Sequence, residues 1–201
     1  MLYIFCKVFL AWILWIVFRP RVFGRENLFA SGSAIICCNH RKMVDPILLG
    51  LICPRPIHFM AKKQLFSNKL LAVILKLFLV FPVNRKSTDM HSLKKALGVL
   101  EKGKIFGIFP EGKRAITNDM DMLEKGAAFL ALKSGAPIIP VYIHPDSFVS
   151  SRPIVIVGSP IKTTTIIPNV KKSTLAEVIT NEITNSIDAL RIELDAKLYN
   201  N

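Results

Sequence analysis

The feature that most constrains this fold is a short apolar run, residues 34–38, that stops abruptly at polar side chains. A strand that is apolar at consecutive positions, rather than at alternate ones, is typical of a sheet covered on both faces. Neighbouring residues of a strand point to opposite faces, so Cys37 and Cys38 are expected to be small core residues on its two sides. The run therefore predicts a buried strand in an α/β protein.

Asn39, His40 and Asp45 come directly after this strand. Asp45 precedes Pro46 and an apolar stretch, which predicts a helix with Asp45 as N-cap and Pro46 at the first helical position. Residues five apart do not share a helical face, so only a loop can bring His40 and Asp45 together. Such a pair would let Asp45 fix the tautomer of His40, whose other nitrogen could take a proton from a substrate hydroxyl. These residues alone leave open a simple loop histidine and helix cap.

Charge and composition favour a membrane surface as partner. The chain of 201 residues suits one α/β domain, and 27 Lys+Arg against 14 Asp+Glu give a net charge of +13. That charge favours either nucleic acid or an anionic membrane. A hydrophobic fraction of 51% is high for a soluble nucleic-acid binder, and no zinc-finger spacing or arginine-rich arm is present. We therefore expect anionic membrane lipids, and no nucleic acid, as partners.

The cysteines indicate neither a metal site nor a disulfide framework. Cys6, Cys37, Cys38 and Cys53 form no C-x-x-C pair and have no histidine at metal-ligand spacing. No metal is predicted, and a reduced, cytosolic setting fits.

The N-terminal stretch, residues 2–18, is apolar except for Lys7 and is followed by Arg19 and Arg21. As a helix it would rise roughly 26 Å, short of a hydrocarbon core of roughly 30 Å. We expect residues 1–20 to form a membrane-associated helix, sunk in one leaflet or barely spanning, and residues 21–201 to form the catalytic domain. The arginines place that domain on the cytoplasmic face of the membrane. The alternative is a buried helix at the edge of a soluble domain.

Residues 62–80 form a second apolar stretch, in which Lys62, Lys69 and Lys76 recur every seven residues. On one helix these lysines would form a stripe beside an apolar remainder, a pattern typical of helices in membrane interfaces. Ser67-Asn68 could break this helix, and a lysine stripe is also typical of an ordinary solvated face.

The remaining pattern alternates strands with helices and shows no second domain. Strands are predicted at 57–61, 104–109, 136–143 and 154–157, and helices at 91–102, at 123–134 and from Leu175 onward. Two prolines in 136–143 predict a bulge or a sheet edge. The fold class is therefore α/β, with a mixed, mostly buried sheet flanked by helices.

Charged residues follow two further extended segments at the point where each ends. Glu111, Lys113 and Arg114 follow the strand at 104–109, and Arg85 follows the extended residues 81–84. In open α/β sheets the ligand crevice lies beyond the carboxyl ends of the strands. Because arginine binds phosphate through two parallel hydrogen bonds, two arginines at this edge would form an anion clamp.

These segments resemble, in order, the four sequence blocks of the lysophosphatidic acid acyltransferase family. The blocks are Asn39-His40 through Asp45-Pro46, Phe81 to Arg85, Phe109 to Arg114, and Ala136 to Pro140. By this resemblance His40 and Asp45 are the catalytic pair, and Pro140 helps to shape the acceptor or acyl site. The residues that would hold the glycerol phosphate are Arg85, Glu111, Gly112 and Arg114.

The resemblance implies transfer of a fatty acyl group to the free hydroxyl of a lysophosphatidate, with acyl-coenzyme A or acyl carrier protein thioester as donor and no cofactor. The third block departs from the usual Glu-Gly-Thr-Arg-Ser, because Lys113 and Ala115 replace two hydroxyl residues. Acceptor preference is therefore open, and glycerol 3-phosphate is an alternative acceptor. A non-catalytic anionic-lipid binder on the same fold is the alternative outside the enzymes.

Overall fold

Seven strands form one mixed sheet in the order β1-β7-β6-β2-β5-β3-β4. The computed structural model describes residues 13–29, 31–84, 89–110, 120–147, 152–166 and 174–199. The strands are β1 (Arg21–Phe23), β2 (Ala34–Cys38), β3 (Ile57–Lys62), β4 (Val80–Val83), β5 (Ile105–Ile108), β6 (Ile138–Ile143) and β7 (Ile154–Val157). The pairs among β2 to β6 are parallel, β7 is antiparallel to β6, and β1 is parallel to β7. The carboxyl ends of five strands therefore meet at one edge.

Helices cover both faces of the sheet. They are α1 (Asp45–Ile52), α2 (Lys69–Leu77), α3 (Met90–Glu101), α4 (Met120–Ser134), α5 (Thr163–Ile166) and α6 (Leu175–Tyr199), with 3-10 helices at Arg25–Phe29 and Lys63–Phe66. Residues 13–18 are also helical. The α/β fold with a mixed sheet flanked by helices is thus confirmed.

Two separate cores lie on the two faces of the sheet. The long helices α3, α4 and α6 pack on one face, in a layer that we call the long-helix layer. Helices α1 and α2, the 3-10 helix Arg25–Phe29 and residues 13–18 pack on the other, the short-helix layer. Cys37 and Cys38 are both buried, one in each core, because adjacent strand residues point to opposite faces.

Proline occurs in two strands, for two different reasons. Pro82 lies in β4, an edge strand, where its missing N–H costs no ladder bond. Pro140 lies in β6, between β7 and β2, so of the two predicted alternatives the sheet edge is wrong, whereas the pairing shifts by one residue between Val141–Val157 and Ile138–Ile161, as at a bulge. The Pro140 carbonyl accepts from Gly158 N at 2.9 Å, on the β7 side, and the β6–β7 ladder begins one residue later, at Val141. Its nitrogen therefore lies at the shift in register, where the regular ladder is interrupted before pairing resumes at Ile138 and Ile161.

Two predicted helix starts are shifted in the structure. Val44, not Asp45, is the N-cap of α1, and no side chain caps this helix. Lys62 is the last residue of β3, and α2 begins only at Lys69 because Asn68 caps it, accepting from Leu71 N at 3.1 Å. The predicted lysine stripe is therefore reduced to Lys69 and Lys76.

The predicted N-terminal helix lies mostly outside the described residues. Within the part of the chain that the structure describes, no helix combines the length and the apolar character needed to cross a bilayer.

Candidate active site

His40 and Asp45 are brought together by the loop between β2 and α1. Nδ1 of His40 lies 3.0 Å from Oδ2 of Asp45. The Asp45 side chain is 2% exposed, whereas that of His40 is 36% exposed. Because an aspartate at this distance accepts a hydrogen from Nδ1, Nε2 is left as the basic nitrogen of the ring.

The buried carboxylate of Asp45 is held by the loop that precedes it. Backbone N–H groups of Arg41 and Lys42 both donate to Oδ2 of Asp45, each at 2.8 Å. Short acidic side chains commonly accept from nearby backbone in this way, instead of capping a helix. Together with His40, these donors replace the water that Asp45 loses on burial. One oxygen atom of Asp45 therefore binds both the backbone of the loop and the imidazole of His40.

Asn39, directly before His40, is the second anchor of the loop. Its Oδ1 accepts from Ile143 N at 2.8 Å, and its Nδ2 donates to Ile143 O at 2.9 Å. The side chain is buried, and it joins the end of β2 to the end of β6 after the regular strand pairing stops. The sequence shows Asn39 at the end of the strand but gives no signal for its partner.

Lys42 fastens the loop to the turn after β6. Its Nζ donates to the carbonyl of Ser147. Ser147 is itself held to β7, because Ile154 N donates to its Oγ at 3.0 Å. The backbone from Asn39 to Asp45 is thus tied to β6 and, through Ser147, to β7.

One face of the His40 ring packs on Phe109, which follows β5. The ring centroids are 4.4 Å apart, and Phe109 stacks in turn on Phe59 of β3, at 5.9 Å. Phe59 belongs to the core of the short-helix layer, and Phe109 is partly buried and packs against this core. His40 therefore opens toward this layer, at the carboxyl edge of the sheet.

The predicted substrate-binding residues fall in two groups. Arg85, Glu111, Gly112 and Arg114 lie outside the described residues. Their neighbours Asn84 and Pro110 follow β4 and β5, at the same edge of the sheet as His40. The predicted roles of these four residues therefore stay predictions.

Pro140 lies away from His40, on the opposite face of the sheet. It pairs with Cys37, whose side chain lies in the core of the long-helix layer. A methyl group built on Gly158 would come within 2.9 Å of Cγ of Pro140 and 3.2 Å of Leu190 in α6. Pro140 also lines a cavity of about 470 Å³ beside α6. The structure does not bring its side chain together with the His40–Asp45 pair.

A second cavity, of about 370 Å³, lies where β4 ends and α3 begins. Lys63, Asn84, Asp89 and His91 line it. Oδ2 of Asp89 accepts from Asn84 N at 2.9 Å, and Oδ1 accepts from Ser92 N at 3.0 Å. The Asn84 N–H, the Ser92 N–H and the Ser92 hydroxyl lower the pKa of Asp89 from 3.8 to about 2.

The family model described as Acyltransferase matches residues 19–144. The chain belongs to the acyltransferase family. Its resemblance to this family, inferred from four sequence blocks, is thereby confirmed, and the chain is an O-acyltransferase.

Curated relatives of this acyltransferase cover most of its length. The 1-acyl-sn-glycerol-3-phosphate acyltransferase of Bacillus subtilis (strain 168) is 36% identical over 200 residues, which are 96% of this chain and 99% of the relative. The enzyme of the same name from Borreliella burgdorferi is 28% identical over 181 residues, 85% of this chain and 72% of the relative.

A solved structure has the same fold. It is the crystal structure of the 1-acyl-sn-glycerophosphate (LPA) acyltransferase PlsC from Thermotoga maritima, with a TM-score of 0.60 and 18% identity. The match covers 85% of this acyltransferase and 72% of the other chain.

Proposed function

We propose that this acyltransferase moves a fatty acyl group from a thioester to the free hydroxyl of 1-acyl-glycerol 3-phosphate, giving phosphatidic acid for phospholipid synthesis. The observation that carries the proposal is the His40–Asp45 pair, held at 3.0 Å at the carboxyl edge of the sheet. The Bacillus subtilis relative described above is named for this reaction, and it matches nearly the whole chain. The donor is a fatty acyl thioester of coenzyme A or of acyl carrier protein.

His40 acts as general base and then as general acid. With a proton on Nδ1, shared with Asp45, Nε2 of His40 removes the proton from the acceptor hydroxyl. The resulting alkoxide attacks the thioester carbonyl, and a tetrahedral oxyanion forms. When this collapses, the C–S bond breaks, and the leaving thiolate takes the proton back from Nε2. The ester and a free thiol are the products, and no acyl-enzyme is formed.

Asp45 contributes by orientation and charge. Its carboxylate keeps the proton on Nδ1 and stabilises the imidazolium that forms during transfer. Because Arg41 N and Lys42 N hold the same oxygen, the imidazole is already in position before substrate binds.

Arg85 and Arg114 anchor the acceptor phosphate in this proposal, with Glu111 and Gly112 beside them. Support comes from their place in the chain, since they follow β4 and β5, whose carboxyl ends share the edge that carries His40. Pro140 would shape the acceptor or acyl site through the packing of β6. The enzyme would work on the cytoplasmic face of the membrane, where its lipid acceptor lies, and anionic lipids would be its membrane partners.

The test is acyl transfer to lysophosphatidate by detergent-solubilised protein, with both acyl-coenzyme A and acyl carrier protein thioesters offered. We expect His40→Ala to lower kcat by about 10²–10⁴, the usual contribution of a general base, and Asp45→Asn to lower it strongly through the wrong tautomer. Asp188→Asn, an exposed change on α6, is the matched control and should leave the rate unchanged. Circular dichroism checks that each variant is folded.

Two results would count against the proposal. Wild-type rates of acyl transfer from His40→Ala would show that His40 is not the general base. Product with glycerol 3-phosphate and none with lysophosphatidate would reassign the acceptor, as the departures at Lys113 and Ala115 allow.

A further inference from the structure

Helix α2 exposes an apolar face to solvent. Leu71, Ala72 and Leu75 turn toward the protein and are half-buried, and Leu75 packs on the core of the short-helix layer. Leu70, Val73, Ile74 and Leu77 follow the spacing of one helical face and are all exposed, Leu70 to 73% and Val73 to 55%. Phe78, at the end of the helix, is exposed as well. A helix on the surface of a protein in water normally presents polar residues on this side.

Basic residues border this apolar face. Lys69 and Lys76 are seven residues apart, so they lie on the same edge of α2, beside Val73, and both are exposed. Lys62 and Lys63, just before the helix, are exposed too. No acidic residue lies between 62 and 84. An apolar face with lysines along its border is the pattern of helices that bind anionic membranes.

The same side of the sheet carries further exposed apolar side chains. Ile16, Val17 and Phe29 in the short-helix layer are exposed, and so is Met43 in the loop that holds His40. On the helices of the long-helix layer, outside residues 120–125, the large apolar side chains described as exposed are Met90, Ile192 and Tyr199. Apolar exposure is therefore concentrated on the layer toward which His40 opens.

We propose that the exposed face of α2 is a docking surface for the anionic leaflet of a bilayer. Leu70, Val73 and Leu77 insert among the acyl chains near the headgroups, and Lys69 and Lys76 reach up to the lipid phosphates. Docked this way, the short-helix layer faces the membrane, and His40 lies on the side from which a lysolipid hydroxyl arrives. The identity of this lysolipid substrate rests on the proposed function, whereas the assignment of α2 as a docking surface does not.

Vesicle binding tests the surface without reference to catalysis. The probes are vesicles of phosphatidylcholine alone and of phosphatidylcholine mixed with phosphatidylglycerol, and the measurement is the partition coefficient by sedimentation. The Leu70→Gln/Leu77→Gln variant should bind both at least tenfold more weakly, because two apolar side chains no longer leave water. The Lys69→Gln/Lys76→Gln variant should lose about tenfold or more on the anionic vesicles alone, since each lysine near the surface contributes a factor of about five.

Matched controls lie on the long-helix layer. Ile192→Gln replaces an exposed apolar residue of α6, and Lys94→Gln/Lys133→Gln removes two exposed lysines from α3 and α4. Both should bind vesicles like the wild type. Unchanged partitioning of both α2 variants would overturn the proposal.

Other occupants of this face would give different results. A lower melting temperature of the Leu70→Gln/Leu77→Gln variant without lipid would show that another segment of the chain covers α2. A change of this variant from dimer to monomer would show that a second copy of the chain covers it. Either result overturns the membrane assignment.

Activity separates this inference from the proposed reaction. Acylation of a short-chain, water-soluble lysophosphatidate should be the same for the α2 variants and the wild type, while acylation of a vesicle-bound lysophosphatidate should fall. If neither the wild type nor any variant acylates either substrate, but vesicle binding still depends on α2, the proposed reaction is refuted and the docking surface is supported.

Discussion

Asn39 shows how a single residue sets the geometry of the catalytic loop. Its amide exchanges two hydrogen bonds with the backbone of Ile143, in the manner of one more strand residue after β2 has ended. His40 is the next residue, so the position of the imidazole depends on where Asn39 fixes the chain. Asn39 touches no reacting atom in the proposed mechanism and is a positioning residue.

Asn39→Ala should therefore destabilise the protein and slow the reaction. The N–H and C=O of Ile143 would lose their partners in a buried place, at a cost of about 1–3 kcal/mol for each group that stays unpaired. Urea denaturation measures the free energy of unfolding, and Asn185→Ala, on the exposed side of α6, is the control, expected within about 0.5 kcal/mol of wild type. We expect kcat to fall while KM changes little. Equal stability of the two variants would show that water replaces the amide.

At the scale of elements, Asp89 joins the end of β4 to the start of α3. Its carboxylate caps the N-terminus of α3 by accepting from Ser92 N, and it also accepts from Asn84 N. Asn84 is the last described residue before Arg85. These bonds hold its pKa at about 2 in the folded protein, against an ordinary 3.8. A carboxylate whose pKa is lower when folded stabilises the fold above its unfolded pKa, and that contribution is lost as pH falls through its folded pKa.

Asp89→Ala should lower the melting temperature at neutral pH, and the gap to wild type should close as pH falls from about 4 to about 2. Melting followed by circular dichroism across this range gives the measurement. Asp188→Ala, at an exposed site on α6, controls for a general loss of negative charge. A gap that stays constant down to pH 2 would mean that the bonds of Asp89 do not depend on its charge.

At the scale of the whole molecule, one sheet separates two cores, and α6 closes the larger one. Leu194 of α6 is fully buried in the core of the long-helix layer, whereas Ile192, two residues before it, is 64% exposed. The same helix therefore offers a buried and an exposed apolar residue side by side.

Leu194→Ala should cost about 2–5 kcal/mol of unfolding free energy, because it leaves a cavity among well-packed side chains. Ile192→Ala should stay within about 0.5 kcal/mol of wild type. Urea denaturation of both variants is the measurement. Losses of similar size would mean that Ile192 is covered in the protein in solution.

The sequence predicts β2, β5 and β7, because each is apolar at every position. A continuous apolar run is typical of a strand that is buried on both faces. The approach of His40 to Asp45 is one of two possibilities from the sequence, because a loop between a strand end and a helix start can bring the two side chains together or leave each of them separate. The position of Pro140 does not, because a proline shows that an N–H is missing but not where the neighbouring strand ends. The partner of Asn39, Ile143, is equally hidden, since it lies on a strand far along the chain.

The pairing of β1 with β7 has a consequence for synthesis of the protein. Arg21 to Phe23 lie beside Ile154 to Ile156, so the first strand has no partner until most of the chain has left the ribosome. Strand β1 is followed by a long interval of synthesis in which the sheet edge that will hold it does not exist. A ribosome translating this chain thus presents β1 unpaired to its surroundings well before β7 can pair with it.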